Sequence, residues 1–190
     1  NLNDPVTLGG LDVNGGELTV YEKNLADGSA PNPGALTQSG TFMVSAPDGL
    51  QSLSVGGISV VSGGVAASFP QSITTALGNT LTITGYNPAT GVISYSYTLL
   101  DNESHANGDG ANSLTEHFTV TATDTDGSTA SGSLDVNIVD DLPKADSDFA
   151  NVYEGGTVSG NVLVNDVSGA DTVADGKYVV GVRAGSDTSS

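Results

Sequence analysis

The chain has 190 residues, 22 acidic against four basic, and a formal net charge of −18. A surface this negative repels nucleic acid and anionic membranes, which are held by clustered Lys and Arg, and it attracts cations. No stretch is apolar for long enough to span a membrane, and with no cysteine there is no disulfide to brace the fold, so a metal ion is the candidate brace.

High net charge can accompany disorder, but 37% hydrophobic residues arranged in alternating runs argue for a folded core. In chain order, the weaker strand signals are 17–23 (ELTVYEK), 41–46 (TFMVSA), 51–57 (QSLSVGG), 65–69 (VAASF) and 80–86 (TLTITGY). Three segments alternate more cleanly. In GVISYSYTLL, Ile93, Tyr95, Tyr97 and Leu99 share one face. In HFTVTATD, Phe118, Val120 and Ala122 alternate with threonines, and in GSLDVNIVD, Leu134, Val136 and Ile138 alternate with polar residues. Period-2 alternation marks half-buried antiparallel strands, and the gaps carry Gly, Asn, Asp and Pro. Many short strands with regular turns predict an all-β fold, an antiparallel β-sandwich with no helix longer than two turns.

The strand ending in NIVDDLP meets Asp140 and Asp141, then Pro143. Proline has no N–H and restricts the residue before it, so the strand must end there. This sets the expected division: 1–143 is a β-sandwich repeat and 144–190 a partial second repeat, the beginning of a second β domain. An internal echo supports it. Tyr21-Glu22 in LTVYEKNL recurs as Tyr153-Glu154 in ANVYEGGT, and NDPV (3–6) precedes the first as DDLP (140–143) precedes the second. Two echoes in the same order point to tandem repeats. With NLNDPV at one end and AGSDTSS at the other, the chain reads as a piece of something longer.

The acidic residues gather at turns. Asp124 and Asp126 belong to a D-x-D-G turn, and Asp140-Asp141 follow one hairpin later, at its other end. Several hard-cation sites are therefore expected rather than one cluster. Oxygen donors without thiols suit Ca²⁺, which takes six to eight oxygens in irregular geometry. Zinc and copper prefer His or Cys, and the chain offers only His105 and His117. The D-x-D-G run is not an EF-hand, because the twelfth position is Asp135 and no helices flank it. Asp and Gly are also ordinary turn residues, so Asp124 and Asp126 serve equally as turn formers. The loop 101–112, with Asp101, Glu103 and Asp109, is either ordered by metal or a solvated polar loop. His105 reads as a polar loop residue rather than a ligand, and His117 as a strand surface residue. Binding is expected in the weak extracellular range, about 10⁻⁴–10⁻³ M.

The segment FTVTATDTDGSTASGSLDVNIVDDLPKA (118–145), together with YEKNLADGSAPNP and GTFMVSAPDGLQSL, resembles a repeat domain of the giant RTX adhesins that bacteria export by type I secretion and use in biofilms. The resemblance covers roughly residues 5–143, and GNVLVND (160–166) resembles the opening of a VCBS-type repeat. It implies Ig-like or cadherin-like sandwiches in long tandem arrays on the cell surface, with Ca²⁺ at the junctions stiffening the stalk. Asp140, Asp141 and Pro143 match the acidic linker of that family, and Glu22 and Glu154 match its glutamate near a domain start. Asp146 or Glu154 would complete the ion's shell across the junction. The partners implied are neighbouring repeats of the same chain, with host or surface ligands reached through other domains. The truncated second repeat departs from the pattern and leaves room for an inserted ligand-binding domain.

Three function classes follow: a structural extender, a sugar- or peptide-binding module within such an adhesin, and a secreted enzyme such as a glycosidase. Aromatic residues are 5% of the chain, tryptophan is absent, and there is no nucleophile elbow, HExxH or P-loop. The enzyme is the weakest of the three and the extender the strongest.

Overall fold

The computed structural model describes residues 4–106 and 112–170. Their alternating segments build two packed sheets. One sheet has the order β1 (Thr7–Gly9), β3 (Thr37–Ser45), β9 (Val92–Thr98), β8 (Thr80–Asn87), β7 (Gln71–Thr74). The other runs β2 (Leu18–Tyr21), β11 (Thr129–Val139), β10 (Ser113–Asp124), β4 (Leu50–Val55), β5 (Ile58–Ser62), β6 (Val65–Ala66). Helix among the described residues is confined to two 3-10 turns of three residues, Glu22–Asn24 and Pro33–Ala35. The architecture is an all-β sandwich.

Alternation decides which residues meet in the middle. Ile93, Tyr95, Tyr97, Phe118, Val120, Leu134, Val136 and Ile138, expected in the core, are all buried. Tyr97 of one sheet tilts against Phe118 of the other, ring centroids 6.3 Å apart, within the favourable range for offset aromatic pairs. Each large apolar side chain taken out of water contributes about 1.5–3 kcal/mol, and this layer holds the sheets together. The turn between β8 and β9 shows how tightly the chain folds back. At Gly91, with φ +70°, a Cβ would lie 2.0 Å from the Val44 carbonyl oxygen, so only glycine fits.

Nine strand pairings are described, and one departs from the antiparallel expectation. β2 runs parallel to β11, with Leu18 opposite Val136 and Tyr21 opposite Val139. An alternating pattern fixes which face of a strand is buried but not its direction, so periodicity carried no sign of this. The consequence is local: two strands ending side by side in the same direction deliver their next residues, Glu22 and Asp140, to the same end of the sandwich. β10 pairs antiparallel with β11, Ser113 opposite Val139, so the chain entering β10 starts from that end too.

Beyond the sandwich, 145–170 contains no strand. It is tied by one antiparallel bridge, Lys144 to Val167, with N–H···O distances of 2.8 and 2.9 Å. Phe149 and Tyr153 are 90% and 94% exposed, so these two rings have no complementary face among the described residues, whereas Ala170 is buried against the sandwich core.

Candidate functional site

The end of the sandwich where β2 and β11 finish collects buried acidic side chains. After Tyr21 the chain turns into the 3-10 helix, and the Glu22 side chain is fully buried. From the opposite sheet, the chain leaving β9 crosses the same end and brings Glu103 and His105. The Glu103 backbone N–H donates to Glu22 Oε1 at 2.7 Å, and His105 Nε2 lies 2.9 Å from the same oxygen. Asp140 enters from β11, its own N–H donating to the Asn112 carbonyl at 3.0 Å. One candidate ligand atom from each of Glu22, His105 and Asp140 falls within 4.8 Å of the others.

Several polar atoms here have no hydrogen-bond partner although they are sealed from solvent: His105 Nδ1, Asn112 Oδ1 and Asp140 Oδ1. Such atoms are uncommon in folded proteins and costly, about 1–3 kcal/mol each. Among the described residues the lysines lie elsewhere: Lys23 sits over the Tyr21 ring at 5.0 Å, and Lys144 pairs with Asp146 at 3.1 Å.

A second acidic group backs the first. Asn79 donates through Nδ2 to Glu103 Oε1 at 2.6 Å and accepts from the Leu100 N–H at 2.9 Å. The Tyr97 hydroxyl donates to Glu116 Oε2 at 2.6 Å, and the Leu77 N–H to Glu116 Oε1 at 3.2 Å. Burial pushes the Glu103 carboxyl above the ordinary carboxylate range; the Asn79 amide opposes the rise, and the negative charges of Glu116, Glu22 and Asp101 add to it. Burial, followed by the hydrogen bond to Glu116, likewise raises the Tyr97 phenol. This end of the molecule is crowded with negative charge in a medium that screens it poorly.

The acidic pair at 140–141 is divided by strand alternation. Asp141 points away from Asp140 and is fully occupied: Oδ2 accepts from the Ser29 N–H at 2.7 Å and the Ala170 N–H at 3.0 Å, and Oδ1 accepts from the Ser29 hydroxyl. Gly28 makes this possible, since a Cβ there would lie 2.5 Å from the Lys23 carbonyl oxygen and force the loop away. Asp141 is a buckle between the 28–29 loop, the end of β11 and Ala170.

The other candidates are scattered. Asp124, 1% exposed, caps its own turn, with Oδ1 accepting from the N–H groups of Asp126 at 3.1 Å and Ser128 at 2.8 Å, while Asp126 is exposed. These two lie at the far end of the hairpin from Asp140, as its length requires. Asp101 is exposed and accepts from the Asn102 N–H. Asp146 pairs with Lys144 and donates its N–H to Asp166 Oδ1 at 2.8 Å. Glu154 is exposed, unlike its echo Glu22. Asp109 lies outside the described residues. Among the described residues, neither Asp146 nor Glu154 joins the Glu22–His105–Asp140 group.

His105, read as a polar loop residue rather than a ligand, does lie in a loop, with its side chain 4% exposed. The available signal was slight: one of only two histidines, in a loop dense with acids. His117 matches its expectation, exposed on β10 and paired across the ladder with Asp135 at 2.8 Å. No helix among the described residues is long and apolar enough to cross a membrane. No family model, curated protein or solved structure matches the chain.

Proposed function

We propose that this chain is a cation-braced structural extender of a large bacterial surface adhesin of the RTX type, exported by type I secretion and stacked in series with neighbouring repeats. Calcium, abundant outside cells, is the ion that the resemblance implies. The observation that carries the reading is the acidic exit end: carboxylates of Glu22, Glu103 and Asp140 are gathered where the chain leaves the sandwich, with sealed acceptors lacking donors. A divalent cation would offset their repulsion at the point where one module passes to the next. Without it, the same charges favour an open chain. An extender needs no catalytic group, and none of the motifs of the common hydrolase or nucleotide-binding sites stands in the sequence.

A cation that binds the folded state alone stabilises it by mass action, about 2.7 kcal/mol at a hundredfold excess over the dissociation constant. For a domain of this size that corresponds to a rise in Tm of roughly 5–10 °C. Melting curves in EDTA and in calcium at that hundredfold excess, about 10–100 mM, should differ by this amount, and Asp140→Asn should abolish the difference. Small-angle scattering of a tandem protein should show a longer, narrower distribution of dimensions in calcium. Identical curves with and without calcium in both measurements would overturn the reading.

A further inference from the structure

We propose that Glu22, His105 and Asp140 form a Zn²⁺ site, an inner position that takes a transition ion in preference to calcium. The proposal rests on the cation-braced reading of this end of the molecule and names the ion at its most enclosed point.

The donor set decides the ion. Calcium is held by oxygen in shells of six to eight. An imidazole nitrogen with two carboxylates suits zinc, which accepts His and Asp or Glu together and needs only three protein ligands when water takes the remaining position. The single atoms that the three residues offer lie within 4.8 Å of one another. Two atoms bound to one tetrahedral zinc at about 2.0–2.2 Å lie about 3.3–3.6 Å apart, so His105 Nε2 and Glu22 Oε1, hydrogen-bonded at 2.9 Å, would part slightly to admit the ion.

The ion would sit on Nε2, the ring nitrogen that faces Glu22 Oε1, and take the place of the proton between them. The His105 side chain is 4% exposed, and Nδ1, on the other side of the ring, would keep its proton. Asp140 Oδ1 is a sealed carboxylate oxygen with no donor, and an ion held by that carboxylate would supply the positive charge it lacks. The Glu103 N–H at 2.7 Å from Glu22 Oε1 would fix the carboxylate's orientation, the part that outer hydrogen bonds play around metal ligands.

Nothing else in the described chain competes for this role. His117 is exposed and paired with Asp135 on the sheet surface. Asp124 serves its own turn, and Asp141 is taken by Ser29 and Ala170. The chain has no cysteine, so imidazole is the nitrogen or sulfur donor it offers to zinc at this end.

The test is isothermal titration of the metal-stripped 190-residue protein with ZnCl₂ and, separately, CaCl₂, with melting curves in parallel. One zinc ion per chain should bind, at least about tenfold more tightly than calcium. His105→Ala should weaken zinc at least about tenfold, while His117→Ala leaves it unchanged. Because His105→Ala could disturb the loop, Co²⁺ bound to the wild-type protein gives an independent reading. Its visible absorption should show a low-coordinate site, and the His105 ring resonances should be the ones shifted. Zinc binding that survives His105→Ala, or is lost in His117→Ala, overturns the site, as does calcium binding more tightly than zinc. A calcium-dependent Tm without a zinc response overturns this inference alone and leaves the extender reading intact. Indifference to both ions overturns the two together.

Discussion

The two ends of the β10–β11 hairpin use the same residue type in opposite ways. At the turn, Asp124 is buried with its Oδ1 in the path of two N–H donors within five residues, while its Oδ2 is sealed without a donor. At the far end, Asp140 emerges beside Glu22 and His105, brought from distant parts of the chain, and its Oδ1 meets no donor. A buried carboxylate is stabilised by local backbone in the first case. In the second no backbone donor reaches the Oδ1 oxygen. Aspartate at a turn is therefore not evidence for a metal; what separates the ends is where the donors are.

The largest effect expected along this axis comes from the aspartate that adjoins the acidic end without belonging to it. Asp141→Ala removes the acceptor of the Ser29 N–H, the Ser29 hydroxyl and the Ala170 N–H. Hydrogen bonds to charged groups contribute about 1.5–3 kcal/mol each, part of which solvent recovers at exposed Ser29. We expect a net loss of about 3 kcal/mol by denaturant titration, equal in calcium and in EDTA. A loss that appears only in calcium would move Asp141 into the ion's shell.

A smaller loss tests the turn. Asp124→Ala leaves the Asp126 and Ser128 N–H groups without their acceptor and should cost about 1–2 kcal/mol, the scale of a lost side-chain cap. EDTA should not change that figure. If it does, the turn holds a cation and the contrast between the ends fails.

The smallest effect concerns pH. Between 4.5, the ordinary value, and its raised folded pKa, the Glu103 carboxyl binds more protons in the folded chain than in the unfolded one. Its contribution to stability is greatest in acid and falls as pH rises through that window. In EDTA, Glu103→Gln should flatten the decline in stability between pH 4.5 and neutrality. A variant with the wild-type slope would show that Glu103 is not the group responsible.

Much of the sandwich was legible because alternation is a local property. The segments read as strands at 41–46, 51–57 and 80–86 correspond to β3, β4 and β8, and the hairpin expected between the D-x-D-G turn and Asp140 forms as β10 and β11. Three strands were not read. β5 buries both Val60 and Val61, next to a register shift in its pairing with β4 between Leu53 and Ser54, so its pattern lacks period 2. β7 has only Ile73 as a large apolar residue, and β1 is three residues long. Both lie at sheet edges, where pairing with a neighbour rather than pattern makes the strand.

The candidate site was legible only in parts. Glu22 and Asp140 were singled out from separate motifs, and nothing in either motif required them to meet. Asp146 and Glu154, set beside Asp140 by proximity in sequence, lie apart from it, the first on Lys144 and the second exposed. His105 was read as a polar loop residue rather than a ligand, and polarity along a loop does not reveal what the loop is pressed against.

By itself the sequence determined the fold class, the buried face of each clean strand and the excess of negative charge, since these follow from residue identity at short range. Tertiary structure decided the rest. The parallel pairing of β2 with β11 places the residues after Tyr21 and Val139 side by side, and the crossing from β9 sets His105 against Glu22, 83 positions away. Alternation also turned Asp141 away from Asp140, giving one aspartate three donors and leaving an oxygen of the other with none. Strand direction and the meeting of distant loops are set by packing of the whole sheet, and no local pattern encodes them.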